Sequence, residues 1–149
     1  MSKLIVRNAL EPVISDWANR VLWDEFTPWD QQTTWQEGAN KGVAIAWENV
    51  GFRPITDAPW LQVTLIPAET VSGSFCAPEY KGLLHINVFG VSGQGAGLVE
   101  YLAESVAGLF PAGFKVNGVR ITRPPTVGVG VSDPGGWYMV PVRARYRLN

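Results

Sequence analysis

YKGLLHINVFGVSGQGAGLVEYLAESVAGLFP, residues 80–111, reads as a strand that passes through a glycine-rich turn into a helix. Leu84, Ile86 and Val88 alternate with His85 and Asn87, so the strand has one apolar and one polar face. Gly90, Gly93, Gly95 and Gly97 punctuate the turn, and a helix is expected from about Gln94. Leu98, Tyr101, Leu102, Ser105, Val106 and Leu109 then recur at i, i+3, i+4, i+7, i+8 and i+11, which is one helical stripe. Burying its apolar members and Phe110 stabilises by roughly 1.5–3 kcal/mol per side chain before entropy is subtracted. Pro111 denies the backbone its next donor and ends the helix. A strand feeding a helix that covers it predicts an α+β domain. The expected architecture is a mixed or antiparallel β-sheet flanked by an N-terminal helix, with this second helix packed on the sheet.

Upstream, Ser2 can cap a first helix running to about Val21, with Val6, Leu10, Val13, Ile14, Trp17 and Val21 on one face. Pro12 either kinks that helix or marks a restart. The stretch 22–42 has no clear period and holds Trp23, Trp29 and Trp35 with four acids, so it reads as a long functional or folded-back loop. Residues 43–47 read as a short strand, and 48–60 as an irregular connection with Pro54 and Pro59. Leu61, Val63 and Leu65 mark a half-buried strand stopped by Pro67. Residues 68–81, with Glu69, Phe75 and Tyr80, fit a long arm joining it to the next antiparallel strand, 82–89.

Downstream, Asn117-Gly118 between two apolar runs predicts a tight hairpin. Val127, Val129 and Val131 alternate with Gly128 and Gly130, leaving one strand face bare for close approach. Asp133-Pro134-Gly135-Gly136 is a turn. In the last strand, 137–148, Tyr138, Val140, Val142, Ala144 and Tyr146 share one face, while Arg143, Arg145 and Arg147 share the other.

The totals fit a single domain over residues 1–149, able to bury about 68–70% of its unfolded surface. No apolar run approaches the ~18 residues of a membrane span, and the N-terminus lacks the features of a secretory signal. A lone cysteine, Cys76, excludes an internal disulfide and suits a reducing compartment. Charge is unevenly placed. Residues 1–110 carry six Lys/Arg and twelve Asp/Glu, a net of −6, and residues 111–149 carry six and one, a net of +5. Such a chain can attract copies of itself.

Chemistry-bearing motifs are sparse. The glycine turn matches neither GxGxxG nor a P-loop, and a turn that starts a helix explains it. His85, the only histidine, has no nucleophile elbow to serve, and one His with one Cys makes no ordinary structural zinc site. No cofactor is expected. The Arg143, Arg145, Arg147 row can hold an anionic partner or form a solvated face.

Four segments together carry a resemblance: AWENVGFRP (46–54), PWLQVTLIPAET (59–70), the GQGAG turn with its LAESVAGLFP helix end, and RPPTVGVGVSDPGGWYMVPVRARYR (123–147). They resemble the phage tail-terminator-like family, the tail completion proteins of long-tailed bacteriophages. That resemblance implies a structural, non-enzymatic virion protein at the head–tail junction, assembled in the host cytoplasm. It implies a homo-oligomeric ring, usually a hexamer, that sits on the head-proximal end of the tail tube and stops its polymerisation. Its partners would then be tail tube protein and a head-completion or connector protein. DNA would pass through the ring without sequence-specific binding, and no membrane would be involved. Trp29, Trp35, Glu69, Phe75, Tyr80, Arg143, Arg145 and Arg147 are the candidate interface residues. The alternatives are a head-completion or connector protein of the neck, and a small nucleotide-binding enzyme using the Gly90–Gly97 turn.

Overall fold

A computed structural model describes residues 2–21, 42–54, 58–68, 71–74, 77–93, 97–133 and 135–148. Two helices and nine strands occur among them: α1 (Ser2–Arg20), β1 (Ala44–Ala46), β2 (Trp60–Pro67), β3 (Val71–Ser74), β4 (Ala77–Val91), α2 (Gly97–Ala107), β5 (Lys115–Val116), β6 (Val119–Ile121), β7 (Thr126–Val127), β8 (Val131–Asp133) and β9 (Trp137–Leu148). The sheet runs β1-β2-β4-β9-β6-β5, with β3 on β4, and β7 and β8 on β9. All pairings are antiparallel except β1 on β2, so the sheet is mixed. This is the expected α+β architecture.

Long β4 and β9 form the spine, in register from Tyr80↔Leu148 to Val91↔Trp137. Alternation sends Leu61, Val63 and Leu65 of β2, Leu84, Ile86 and Val88 of β4, and Val140, Val142, Ala144 and Tyr146 of β9 to one face, where all are buried. Both helices pack on that face. α1 contributes Val6, Ala9, Leu10 and Ile14 to the core, and α2 contributes Val99, Leu102, Ala103 and Val106, followed by Phe110.

α1 passes through Pro12 without interruption. The carbonyl that Pro12 leaves without a helical donor is that of Asn8, and both residues face solvent, so water can satisfy it. At the helix end Val21 donates to the Trp17 carbonyl (2.9 Å), Gly42 to that of Val21 (2.8 Å) and Val43 to that of Ala18 (2.8 Å). The chain thus leaves at Val21 and returns to the same point at Gly42. The Trp-rich stretch between them, including Trp29 and Trp35, lies outside the described residues.

In α2 the buried face is turned from the expected stripe. Val99 and Ala103 are buried, while Leu98, Tyr101 and Leu109 are half-buried at its margins. The reason is Gly90, also buried, where a Cβ would lie 2.3 Å from Val99 Cγ2. The absent side chain seats Val99 directly on β4 and fixes the rotation of the helix. The helix gives way before Pro111: Leu109 and Phe110 donate to the carbonyls of Val106 and Ala107 (3.1 Å each), a tightened last turn that buries Phe110.

Three connections differ in detail from the expectation. The arm is paired, because β3 folds back on the first residues of β4 as a hairpin. Asn117 (φ 48°) and Gly118 (φ 84°) make the tight turn between β5 and β6, with both central residues left-handed as a type I′ turn requires. The Val-Gly run does not present one continuous face. Val127 pairs with Val142 but Val131 with Met139, a slip of one residue across 128–130. A Cβ on Gly130 would stand 1.8 Å from the Tyr138 hydroxyl, so the glycines serve contact with the chain's own β9.

Candidate assembly interface

With both helices on one face of the sheet, the outer face is covered by neither. Cross-strand pairing stacks its side chains in rows: Trp60↔Phe89↔Met139, Gln62↔Asn87↔Pro141, Thr64↔His85↔Arg143, Ile66↔Leu83↔Arg145, and Lys81↔Arg147 extended to Arg120 of β6. The face therefore has an aromatic end and a basic end.

At the aromatic end Trp60 stacks on Phe89, with ring centroids 4.0 Å apart and planes 4° from parallel. Trp137 meets Trp60 edge-on at 5.9 Å, and Phe52 leans on it at 5.1 Å. Such contacts add about 0.5–1.5 kcal/mol each beyond the area they bury. Trp60 Nε1, and Asn87 Oδ1 and His85 Nε2 in the neighbouring rows, are buried without hydrogen-bond partners among the described residues.

The basic end is exposed. Lys81, Arg120, Arg143, Arg145 and Arg147 all reach solvent, and Ile66 is 44% exposed among them. No described side chain on this face is a carboxylate. The Arg row therefore lies where alternation places it. The sequence alone did not show that Lys81 and Arg120 join it, because that depends on which strands pair. His85 lies between the two ends, and burial, reinforced by the Arg143 charge, holds its imidazole below the ordinary value of 6.5.

Tyr80 falls on the other face. Its parity is that of Leu84, and it borders a small recess with Lys3 and Val6 of α1 and with Tyr146, so it does not join the Arg row. Glu69 and Phe75 lie outside the described residues.

A second polar cluster guards the far edge of β2. The β1 strand covers only Trp60–Gln62. Beyond it the Leu65 N–H donates to Glu48 Oε1 at 2.6 Å, a hydrogen bond from backbone to carboxylate. Glu48 Oε2 accepts from Arg7 Nη2 at 3.0 Å and lies 3.8 Å from Lys3 Nζ, and Arg7 also pairs with Glu11. Burial by itself would raise the Glu48 carboxyl, but the Leu65 amide, Arg7 and Lys3 outweigh it and hold it below 4.5. Open depressions of about 450 and 380 Å³ flank residues 46–50 beside this cluster.

On the opposite side of the molecule, α2 exposes Glu100 and Glu104. These two acids and Glu48 were not singled out in the sequence, since only pairing partners distinguish them from other surface carboxylates. The described residues hold no group of His, Cys, Asp and Glu able to ligate a metal, and no helix long and apolar enough to cross a membrane. The exposed surface of the described residues carries the basic row, the acids of α2 and scattered aliphatic side chains, while the aromatic end of the sheet face is half-buried or buried.

Comparison with known proteins bears on the same question. Residues 6–146 match a family model described as phage tail terminator protein. One solved structure is similar along 100% of this chain and 96% of its own, with a TM-score of 0.71 and 25% sequence identity. No curated protein sequence matches the chain.

Proposed function

The chain belongs to the phage tail terminator protein family and is a phage tail structural protein, and from that premise we propose that it closes a tail. In this reading copies of the chain form a ring, a hexamer as the resemblance implies, on the head-proximal end of the tail tube. The ring blocks addition of further tube protein and presents its other side to a head-completion or connector protein. DNA passes through its centre without sequence-specific binding. The ring assembles in the host cytoplasm and stays in the virion, and the protein acts through surface shape and charge with no bond made or broken.

The observation that carries the reading is the family match across nearly the whole chain. The division of charge supports it, because a basic sheet face and an acidic helix surface on one molecule suit head-to-tail contact between copies. Gly90 bears on the enzyme alternative: the space beside its Cα is filled by Val99 of α2.

Electron microscopy of particles made without the protein is the direct test. Tails of uncontrolled length, separate from filled heads, are the expected result. Tails of normal length joined to filled heads refute the proposal. In complete particles a labelled chain should map between tube and head connector, and density on the portal itself would make it a connector protein instead.

A further inference from the structure

The described carboxylates with described side chains fall into two groups. Glu11, Asp16 and Glu48 are each paired with a basic side chain of the same molecule. Glu100 and Glu104 have no ion pair among the described residues. They stand one turn apart on the side of α2 opposite Val99, Leu102, Ala103 and Val106, and so point away from the sheet. Across the molecule Arg143 and Arg145 are also exposed and without an ion pair among the described residues.

The spacings agree. Four residues of helix advance about 6 Å, and two residues of strand about 6.7 Å. Two carboxylates and two guanidinium groups are therefore held at matching intervals on two regular elements. Guanidinium suits this role, since its planar fork meets a carboxylate with two parallel hydrogen bonds.

The described sheet edges are poor sites for strand addition: β3, with four residues, shifts register between Ser72 and Ser74. β1 has three residues and β5 two, with Lys115 on the latter. The β7–β8 edge is broken by its register slip, and the free stretch of β2 is capped by Glu48. Short, charged and bulged edges resist pairing with another chain. Among the described residues, contact between copies is left to the faces.

We infer that the Arg143–Arg145 row of one copy docks on the Glu100–Glu104 surface of α2 in the next copy. The inference rests on the ring reading above and names the contact that builds the ring. Donor and acceptor surfaces are different and lie on opposite sides, so each molecule gives one such contact and receives one, and the chain of contacts closes when the rotation allows. Ile66 and Leu83, in the same cross-strand row as Arg145, supply apolar area beside the charges.

The test uses the full chain in sedimentation velocity, with negative-stain images of the same samples, at about 50 mM and about 500 mM salt. The variants are Arg143→Glu/Arg145→Glu, Glu100→Arg/Glu104→Arg, and the two pairs combined, each checked by thermal melting. Each reversal alone should weaken self-association at low salt by about tenfold or more, and the combined variant should recover most of that loss. If either reversal impairs folding, the neutral pairs Arg143→Gln/Arg145→Gln and Glu100→Gln/Glu104→Gln replace it, with a smaller loss expected. A wild-type chain that stays monomeric at low salt overturns the inference. So does a folded Glu100→Arg/Glu104→Arg variant that associates normally, which would assign the Arg row to tube protein or DNA. Loss in both reversals without recovery in the combination overturns it too. Rings that form equally well in every variant refute this contact but leave tail closure standing, whereas normal rings that fail to limit tail length refute tail closure alone.

Discussion

Gly90→Ala adds one methyl group at the point where helix meets sheet. Gly90 is buried on β4, and the new Cβ would lie 2.3 Å from Val99 Cγ2, where ordinary contact begins at 3.4 Å. The two groups must part by roughly 1 Å in a core whose side chains are close-packed. Val99 cannot simply turn aside, because a β-branched side chain in a helix is nearly confined to one rotamer. Relief therefore comes from lifting α2, which also loosens Leu102, Ala103 and Val106. Overpacking of this kind costs about 1–3 kcal/mol. The lower entropy of alanine in the unfolded chain offsets about 0.4–1 kcal/mol at most. With mid-range values the net cost is about 1.3 kcal/mol, and at about 2–4 °C per kcal/mol for a domain of this size the midpoint of thermal unfolding should fall by about 3–5 °C. The assay is circular-dichroism melting of wild type, Gly90→Ala, Val99→Ala and the double variant. Val99→Ala should itself cost about 2 kcal/mol in lost burial and cavity. With the valine methyls gone, Gly90→Ala should then add little, giving a coupling of about 1–3 kcal/mol between the sites. A Gly90→Ala chain as stable as wild type, or strict additivity in the double variant, refutes the seating of Val99 on Gly90.

Two pH effects follow from the polar clusters. Glu48 is held below its ordinary pKa, so the stability it contributes is complete above about pH 4.5 and is lost as pH falls through the lower folded value. Glu48→Gln should cost about 1–2 kcal/mol at pH 7, and its deficit in melting temperature should shrink below pH 4.5; a deficit constant down to pH 3 refutes the ionic account. His85 is also held low, by burial first and then by Arg143. As pH drops below about 6.5 the unfolded chain takes up this proton before the folded one, so stability declines from there toward the folded pKa. The chain has a single histidine, so its imidazole resonance in an NMR titration reports that pKa directly. Arg143→Gln should raise it, and identical titrations in the two proteins refute the coupling.

The features legible in the sequence were those set by local periodicity. Period-two alternation placed the two faces of β4 and β9 correctly, down to the separation of Arg143 and Arg145 from Val142 and Ala144. Asn117-Gly118 announced its turn, because few residue pairs tolerate two left-handed conformations in succession. Features set by contact between distant segments were hidden. The rotation of α2 depends on an empty Cβ position at Gly90, which looks in sequence like part of a flexible turn. Sequence spacing assigned Val127, Val129 and Val131 to one face, but the ladder slips by one residue between Val127 and Val131. Lys81 and Arg120 join the Arg row only once β4 and β6 are known to flank β9. Glu100 and Glu104 stand out only after the other described acids have found their partners.

Under the proposed function, a chain that ends a polymer must associate without itself becoming one. An open strand edge would be the wrong surface for that task, because each added strand recreates the edge it covered and growth has no limit. In this fold the Leu65 amide on the free stretch of β2 is taken by a carboxylate, itself held by Arg7, and the remaining described edges are short or broken by a slip. A contact between a sheet face and a helix surface behaves differently. It carries a fixed rotation from one copy to the next, set by how α2 lies across its own sheet, and a repeated rotation closes after a whole number of copies or winds into a helix. If the proposed α2 contact builds the ring, the seating of α2 on β4 at Gly90 governs closure. A Gly90→Ala chain that still folds should therefore change the size or closure of the assembly, measured by mass photometry, even though residue 90 is buried and touches no neighbour. An unchanged ring in a folded Gly90→Ala variant whose α2 has moved would separate the interface from the helix and sink this link between core packing and assembly.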